Sequence, residues 1–172
     1  MVLDLVAGAR WWPIPVVAVL DEPAHLLTAW LALVALPPRR RPAVPWALLG
    51  AVAIDVDHVP LYLWHVGTAT ESGRPVTHCL LSVVVFLCGA RLVRRARPVL
   101  AGLAVGVALH LVRDLATGPG VPLLWPASGA SVSVPHAWYL EVLVVLAAVA
   151  ARRRSGAGQR PGSRNSAVQG RL

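Results

Sequence analysis

Ionisable residues recur in or beside the apolar stretches of this chain, in five places along it. They are Asp21, Glu22 and His25; Asp55, Asp57 and His58; His78; His110 and Asp114; and His136 and Glu141. Ionisable groups are costly in lipid, so where they persist they usually mark a functional site. These are also the residue types that ligate metal ions. Any fold has to bury the stretches and still give these groups partners.

The stretches dominate the composition. Of 172 residues, 56% are hydrophobic and 14% charged, with a mean hydropathy of +0.64. A soluble domain of this length carries a far more charged surface. An integral membrane protein with one domain is the expectation. The net charge of +8 does not read as nucleic-acid binding, because the arginines cluster beside apolar runs, where membrane topology places them. All sixteen basic residues are arginine, which fits a codon bias. Cys79 and Cys88 lie more than two helical turns apart in one run, too far to pair within that helix, and read as small core residues. The N-terminus lacks a basic stretch ahead of its apolar residues and carries Asp4, so it does not read as a cleavable signal.

Apolar segments over 19–36, 44–65, 77–93, 98–116 and 137–151 predict an all-α polytopic transmembrane bundle of about five helices. Pro23 suits the first turn of the first helix, with Asp21 as its cap. Trp11 to Leu20, with Pro13 and Pro15, reads as interfacial or re-entrant, or else as fused to that helix. Arg39 to Arg41, the group from Arg91 to Arg97, and the tail arginines from Arg152 to Arg171 fall on one side. Arg10 and Arg74 fall on the other. Arginine bias then gives an outside N-terminus and a cytoplasmic C-terminus. Trp11, Trp12, Trp64, Trp125 and Trp138 fall near the outer face. Residues 1–151 form the membrane-embedded domain, and 152–172 read as a basic, disordered cytoplasmic tail.

The orientation rests on arginines alone, yet it brings every acid and histidine group toward the outer face. His110 and Asp114 share a helical face at i and i+4, as do Asp21 and His25; Asp55 and His58 do so at i and i+3. Asp57 points elsewhere on a regular helix, and Pro60 can distort this stretch. One His–Asp pair by itself also serves as a structural bond between helices. His65 has no acid at helical spacing and reads as interfacial. Glu141 can cap its helix or pair with Arg113. All the groups together need a compensating partner, and a cation is the simplest. Imidazole with carboxylate suits zinc, manganese or iron more than calcium.

These blocks resemble the YdjM-like family of inner-membrane metal-dependent hydrolases. The likeness lies in His25, Asp55-Val-Asp57-His58, Arg74-Pro-Val-Thr77-His78, and His110-Leu-Val-Arg-Asp114 followed by Thr117, Gly120 and Pro126. It spans roughly residues 21 to 140. Pro75 and Cys79 stand where glycine and serine are expected, which keeps the histidine but not the serine. The resemblance implies a membrane-bound hydrolase that uses metal-activated water on a phosphoester or lipid. The expected ligands are His25, Asp57, His58, His78, His110 and Asp114, with zinc as the favoured divalent ion. Asp55 or Glu141 is left as general base or to orient a ligand, and Arg74 and Arg113 as anion-binding groups. Membrane lipids and a small-molecule or lipid substrate are the expected partners. The alternative is a transporter or ion-binding membrane protein, since acids and histidines also build ion paths.

The topology is open to direct test. In intact cells Gly73→Cys should react with an impermeant thiol reagent added outside, and Gly156→Cys should not. Labelling of Gly156→Cys from outside would reverse the orientation.

Overall fold

The computed structural model describes residues 14–35, 43–64, 70 and 73–158. The described chain is helical, with no strand and an isolated antiparallel bridge between Val121 and Val132. Helix α1 runs Ile14–Ala35, α2 Val44–Ala53, α3 His58–Trp64, α4 Leu80–Leu92, α5 Arg97–Asp114 and α6 His136–Gly158. Short 3-10 turns at Ile54–Asp57 and Arg94–Ala96 lead into α3 and α5.

Helix α5 is the centre of the bundle and packs against α1, α2 and α4, while α6 packs on α1. Its buried residues divide along its length. Gly102, Ala104, Gly106 and Val107 come first, and His110, Leu111, Arg113 and Asp114 follow. The small residues let α2 approach backbone to backbone. A methyl group added to Gly106 would stand 2.1 Å from the Ala47 carbonyl oxygen, and one on Gly50 2.7 Å from that of Leu103. At the α1–α6 contact, Thr28 donates to the Ala24 carbonyl at 2.8 Å and accepts from Tyr139 at 2.6 Å. Large apolar side chains remain exposed on α4 and α6, among them Val84, Val85, Val144 and Val145, a surface suited to lipid.

Several sequence expectations change. Residues from Ile14 onward belong to α1, so the Trp11–Leu20 stretch, where described, is fused to the first helix. Pro23 lies inside that helix, and Asp21 pairs with Arg113 and His25 instead of capping. The 44–65 segment is broken at Ile54–Asp57. Helix α6 begins at His136 and carries Arg152, Arg153 and Arg154 before ending at Gly158, so the basic tail starts as helix. The rest of the tail, Arg39–Arg41, Trp11, Trp12, His65 and Glu71 lie outside the described residues.

Among the described residues, one helical run, the 21 residues Arg94–Asp114, is long and apolar enough to cross a membrane by length and composition; Leu80–Leu92 is apolar but shorter. Asp55 and Asp57 break the α2–α3 run, and arginines end α6.

The polypeptide between α5 and α6 folds back over one end of the bundle. Val121 and Val132 exchange backbone hydrogen bonds of 2.8 and 2.9 Å, and the Val134 amide donates to the Leu115 carbonyl at 2.7 Å. The Leu123 carbonyl accepts from the Leu80 amide at 3.0 Å. That bond caps α4, whose N-cap Cys79 makes no side-chain bond, and fixes the turn that carries His78.

The close crossing predicts a sharp cost for added volume. Gly106→Val should lower stability by at least about 1–3 kcal/mol through overpacking, read as an earlier thermal midpoint of the detergent-solubilised protein. An unchanged midpoint would mean that the crossing does not depend on glycine.

Candidate metal centre

Two sets of ligand-type side chains meet beyond the glycine crossing. One is Asp55, Asp57, His58 and His78; the other is His25, His110 and Asp114. Within each set the ligand atoms lie within 4.8 Å of one another, so these buried and half-buried groups can hold a metal ion. His25, His78, His110 and Asp114 are all at most 2% exposed.

The 3-10 turn explains how Asp57 joins. Side chains advance about 120° per residue there, against about 100° in an α-helix. Asp55 and Asp57 are thereby less opposed than a regular helix would make them. Both reach His58 Nδ1, Asp55 Oδ1 at 3.2 Å and Asp57 Oδ1 at 3.0 Å. Asp57 also approaches His78 Nδ1 at 3.5 Å and accepts a hydrogen bond from the Thr77 hydroxyl.

Asp55 is shared among three histidines. Its Oδ1 lies 2.9 Å from His78 Nε2 and 3.4 Å from His110 Nε2, which places it at the heart of the cluster. The carboxylate of Glu22 faces it from α1. On α5, His110 Nε2 and Asp114 Oδ2 stand 3.1 Å apart, and the same oxygen is 3.9 Å from His78 Nε2.

The orientation of His110 is set from behind. Its Nδ1–H donates to the Ala51 carbonyl on α2 at 2.8 Å. That bond makes Nδ1 the donor and turns Nε2 toward Asp55 and Asp114. The nitrogen is fully buried and makes no hydrogen bond, as is also true of Asp114 Oδ1 and His78 Nδ1. Orphaned buried polar atoms are costly unless something binds them. Ligands about 2.1 Å from one ion stand about 3.0 Å apart in an octahedron and about 3.4 Å apart in a tetrahedron. Most of the donor separations fall in or within 0.1 Å of that range, His78 to Asp114 being longer at 3.9 Å, and a carbonyl holding the far nitrogen of a histidine is the usual support for a ligand. The residues therefore fit a transition-metal ion.

His25 has a different setting. Its Nε2 accepts from Arg113 Nη1 at 2.8 Å and lies 3.3 Å from Asp21 Oδ2 and 3.4 Å from Asp114 Oδ1. Its ring stacks on that of His110 at 3.7 Å, tilted by 8°. Lone pairs lie in the ring plane, so two parallel imidazoles cannot both aim at one ion. His25 thus meets the centre through Asp114 and Arg113.

The arginines divide by exposure. Arg113 is 2% exposed and spends its charge on Asp21, at 2.6 Å, and on His25. Arg74, 13% exposed at its side chain, donates to Asp114 Oδ2 at 2.6 Å and to the Thr117 carbonyl at 3.1 Å, at the rim of the cluster. Two residues expected nearby do not join. His136 bonds the Ala116 carbonyl at 3.2 Å. Glu141 is exposed on α6, because Tyr139 occupies the buried face and a residue two positions on turns away. Its expected pairing with Arg113 is taken by Asp21. Three contributors escaped side-chain reasoning. The Ala51 carbonyl is backbone and carries no residue-type signal. Thr77 was legible only as the neighbour of His78, and Glu22 only as one acid among several.

The purified protein should contain a divalent transition ion, and His110→Ala and Asp114→Ala should each lower its content about tenfold or more at fixed free metal. Elemental analysis that finds full occupancy in both variants would remove them from the ligand set.

Comparison with curated proteins finds no match, and neither does comparison with solved structures. A sequence profile described as YdjM inner membrane protein matches residues 21–168, spanning every group of the cluster. That span covers most of the polypeptide, and the chain belongs to the YdjM inner membrane protein family.

Proposed function

We propose that the protein is a multi-pass membrane hydrolase that depends on a divalent metal ion, with zinc as the favoured ion. The observation that carries this reading is His110. It is buried, held by the Ala51 carbonyl at 2.8 Å, and presents an unbonded Nε2 to two carboxylates. The membership of an inner membrane family and the exposed apolar faces of α4 and α6 support the location. Five crossings with the centre toward the extracytoplasmic side remain the reading that the arginine distribution favours.

A divalent ion bound here supplies Lewis acidity and allows water to lose its proton near neutral pH. The chain's own groups do the rest. Asp57, His58, His78, His110 and Asp114 are the ligands. Asp55, against His58 and His78 and facing Glu22, is placed to orient the histidines or to serve as base. Arg113 and Asp21 hold His25 against Asp114. Arg74, at the rim, suits an anionic oxygen of a phosphoester, and a centre near headgroup depth favours an amphiphilic one. A transport path needs polar groups through the whole bundle. The crossing of α2 and α5 at Gly50 and Gly106 instead closes the space behind the site with backbone.

Asp57→Asn keeps size and hydrogen bonding and removes a charge that binds the cation. The variant should insert, purify as a monodisperse protein and lose metal-dependent turnover by about 10–100-fold, measured on whichever substrate a screen of phospholipids and simple phosphoesters yields. Full activity in the folded variant, or loss of yield and activity together, would give Asp57 a structural role.

A further inference from the structure

We infer that the cluster is a two-ion centre, with Asp55 Oδ1 shared between the ions and the second site open to a phosphoester; this rests on the metal-dependent reading above. The ligand residues do not form a single set. They fall into two, within each of which the donor atoms all lie within 4.8 Å of one another. Donors on one ion with bonds of about 2.1 Å stand at most about 4.2 Å apart, and a transition ion takes about four to six of them. Asp55, Asp57, His58 and His78 already meet the lower figure, which leaves His110 and Asp114 for another ion.

The sets are nonetheless joined. Asp55 Oδ1 is 3.2 Å from His58 Nδ1 and 2.9 Å from His78 Nε2 in the first, and 3.4 Å from His110 Nε2 in the second. That is the position of a bridging carboxylate oxygen. Both sets also hold buried donors that make no hydrogen bond, His78 Nδ1 in the first and His110 Nε2 and Asp114 Oδ1 in the second, so each independently calls for a partner.

The two sites differ in completeness. Asp55, Asp57, His58 and His78 supply four ligands, enough for a closed tetrahedral site. The second has His110, Asp114 and the shared Asp55, because the stacked His25 ring cannot aim at the same ion as His110. Three protein ligands leave a position free, as catalytic sites do. Arg74 borders this open site through its 2.6 Å bond to Asp114. Paired ions beside a guanidinium suit a phosphoester oxygen, which can bind both.

The test is spectroscopic and needs no turnover. The full-length protein in detergent is stripped, loaded with Mn²⁺ and measured for ion content and by electron paramagnetic resonance. The expected result is two ions per chain with an exchange-coupled spectrum, and His58→Ala and His110→Ala should each lose the coupling. Inorganic phosphate should change the wild-type spectrum, with Arg74→Gln weakening its binding about tenfold or more. One ion per chain, or two with uncoupled spectra, overturns the two-ion centre and leaves the hydrolase reading standing. No bound ion sinks both. A spectrum indifferent to phosphate overturns the phosphoester site. The wild-type measurements decide even if a variant fails to fold.

Discussion

The contact between α2 and α5 is the constraint on which the rest of the structure depends. Gly50, Gly102 and Gly106 let two backbones touch where any side chain would clash. One helical turn beyond Gly106 that proximity places the Ala51 carbonyl against His110 Nδ1. The hydrogen bond makes Nδ1 the donor and turns Nε2 toward Asp55 and Asp114. A widening of the crossing by the width of a methyl group would break the bond and free the imidazole to rotate. Packing and metal chemistry are therefore one problem here, and the small residues on one half of α5 serve the polar residues on the other.

The second constraint is electrostatic. Burying carboxylates and imidazoles together is costly, and the chain meets the cost in layers. Arg113, deeply buried, neutralises Asp21 and steadies His25. Arg74, at the rim, neutralises Asp114. Asp55, Asp57 and Glu22 are left facing histidines and each other. Such an arrangement suits a cation, and folding and metal binding are then expected to be linked. The loop after α5 completes the enclosure. By capping α4 through the Leu123 carbonyl it fixes the backbone that delivers Thr77 and His78.

Much of this was readable one residue at a time. Helical spacing put His110 with Asp114 and Asp55 with His58, and the structure keeps both pairs. Asp57, expected among the ligands, points away from Asp55 and His58 on a regular helix; the 3-10 turn at Ile54–Asp57 changes the angle between successive side chains and brings it to His58. Glu141 was grouped with the site because it shares a helix start with His136, yet spacing within a helix does not say which face meets a neighbour. The pairing of Asp21 with Arg113 was invisible for the same reason: it joins α1 to α5 across a long stretch of sequence.

Sequence by itself determined the class of molecule, the helical segments and the stock of ligands, since these follow from hydropathy, periodicity and residue chemistry, which are local. Tertiary structure decided the rest: which ligands share a set, that Asp55 stands between the two, that Arg113 is internal while Arg74 reaches the rim, and that a backbone carbonyl orients His110. Those relations depend on helix rotation and on approach distances between segments far apart in the chain. A glycine contact sets those distances, and no residue-type pattern encodes them.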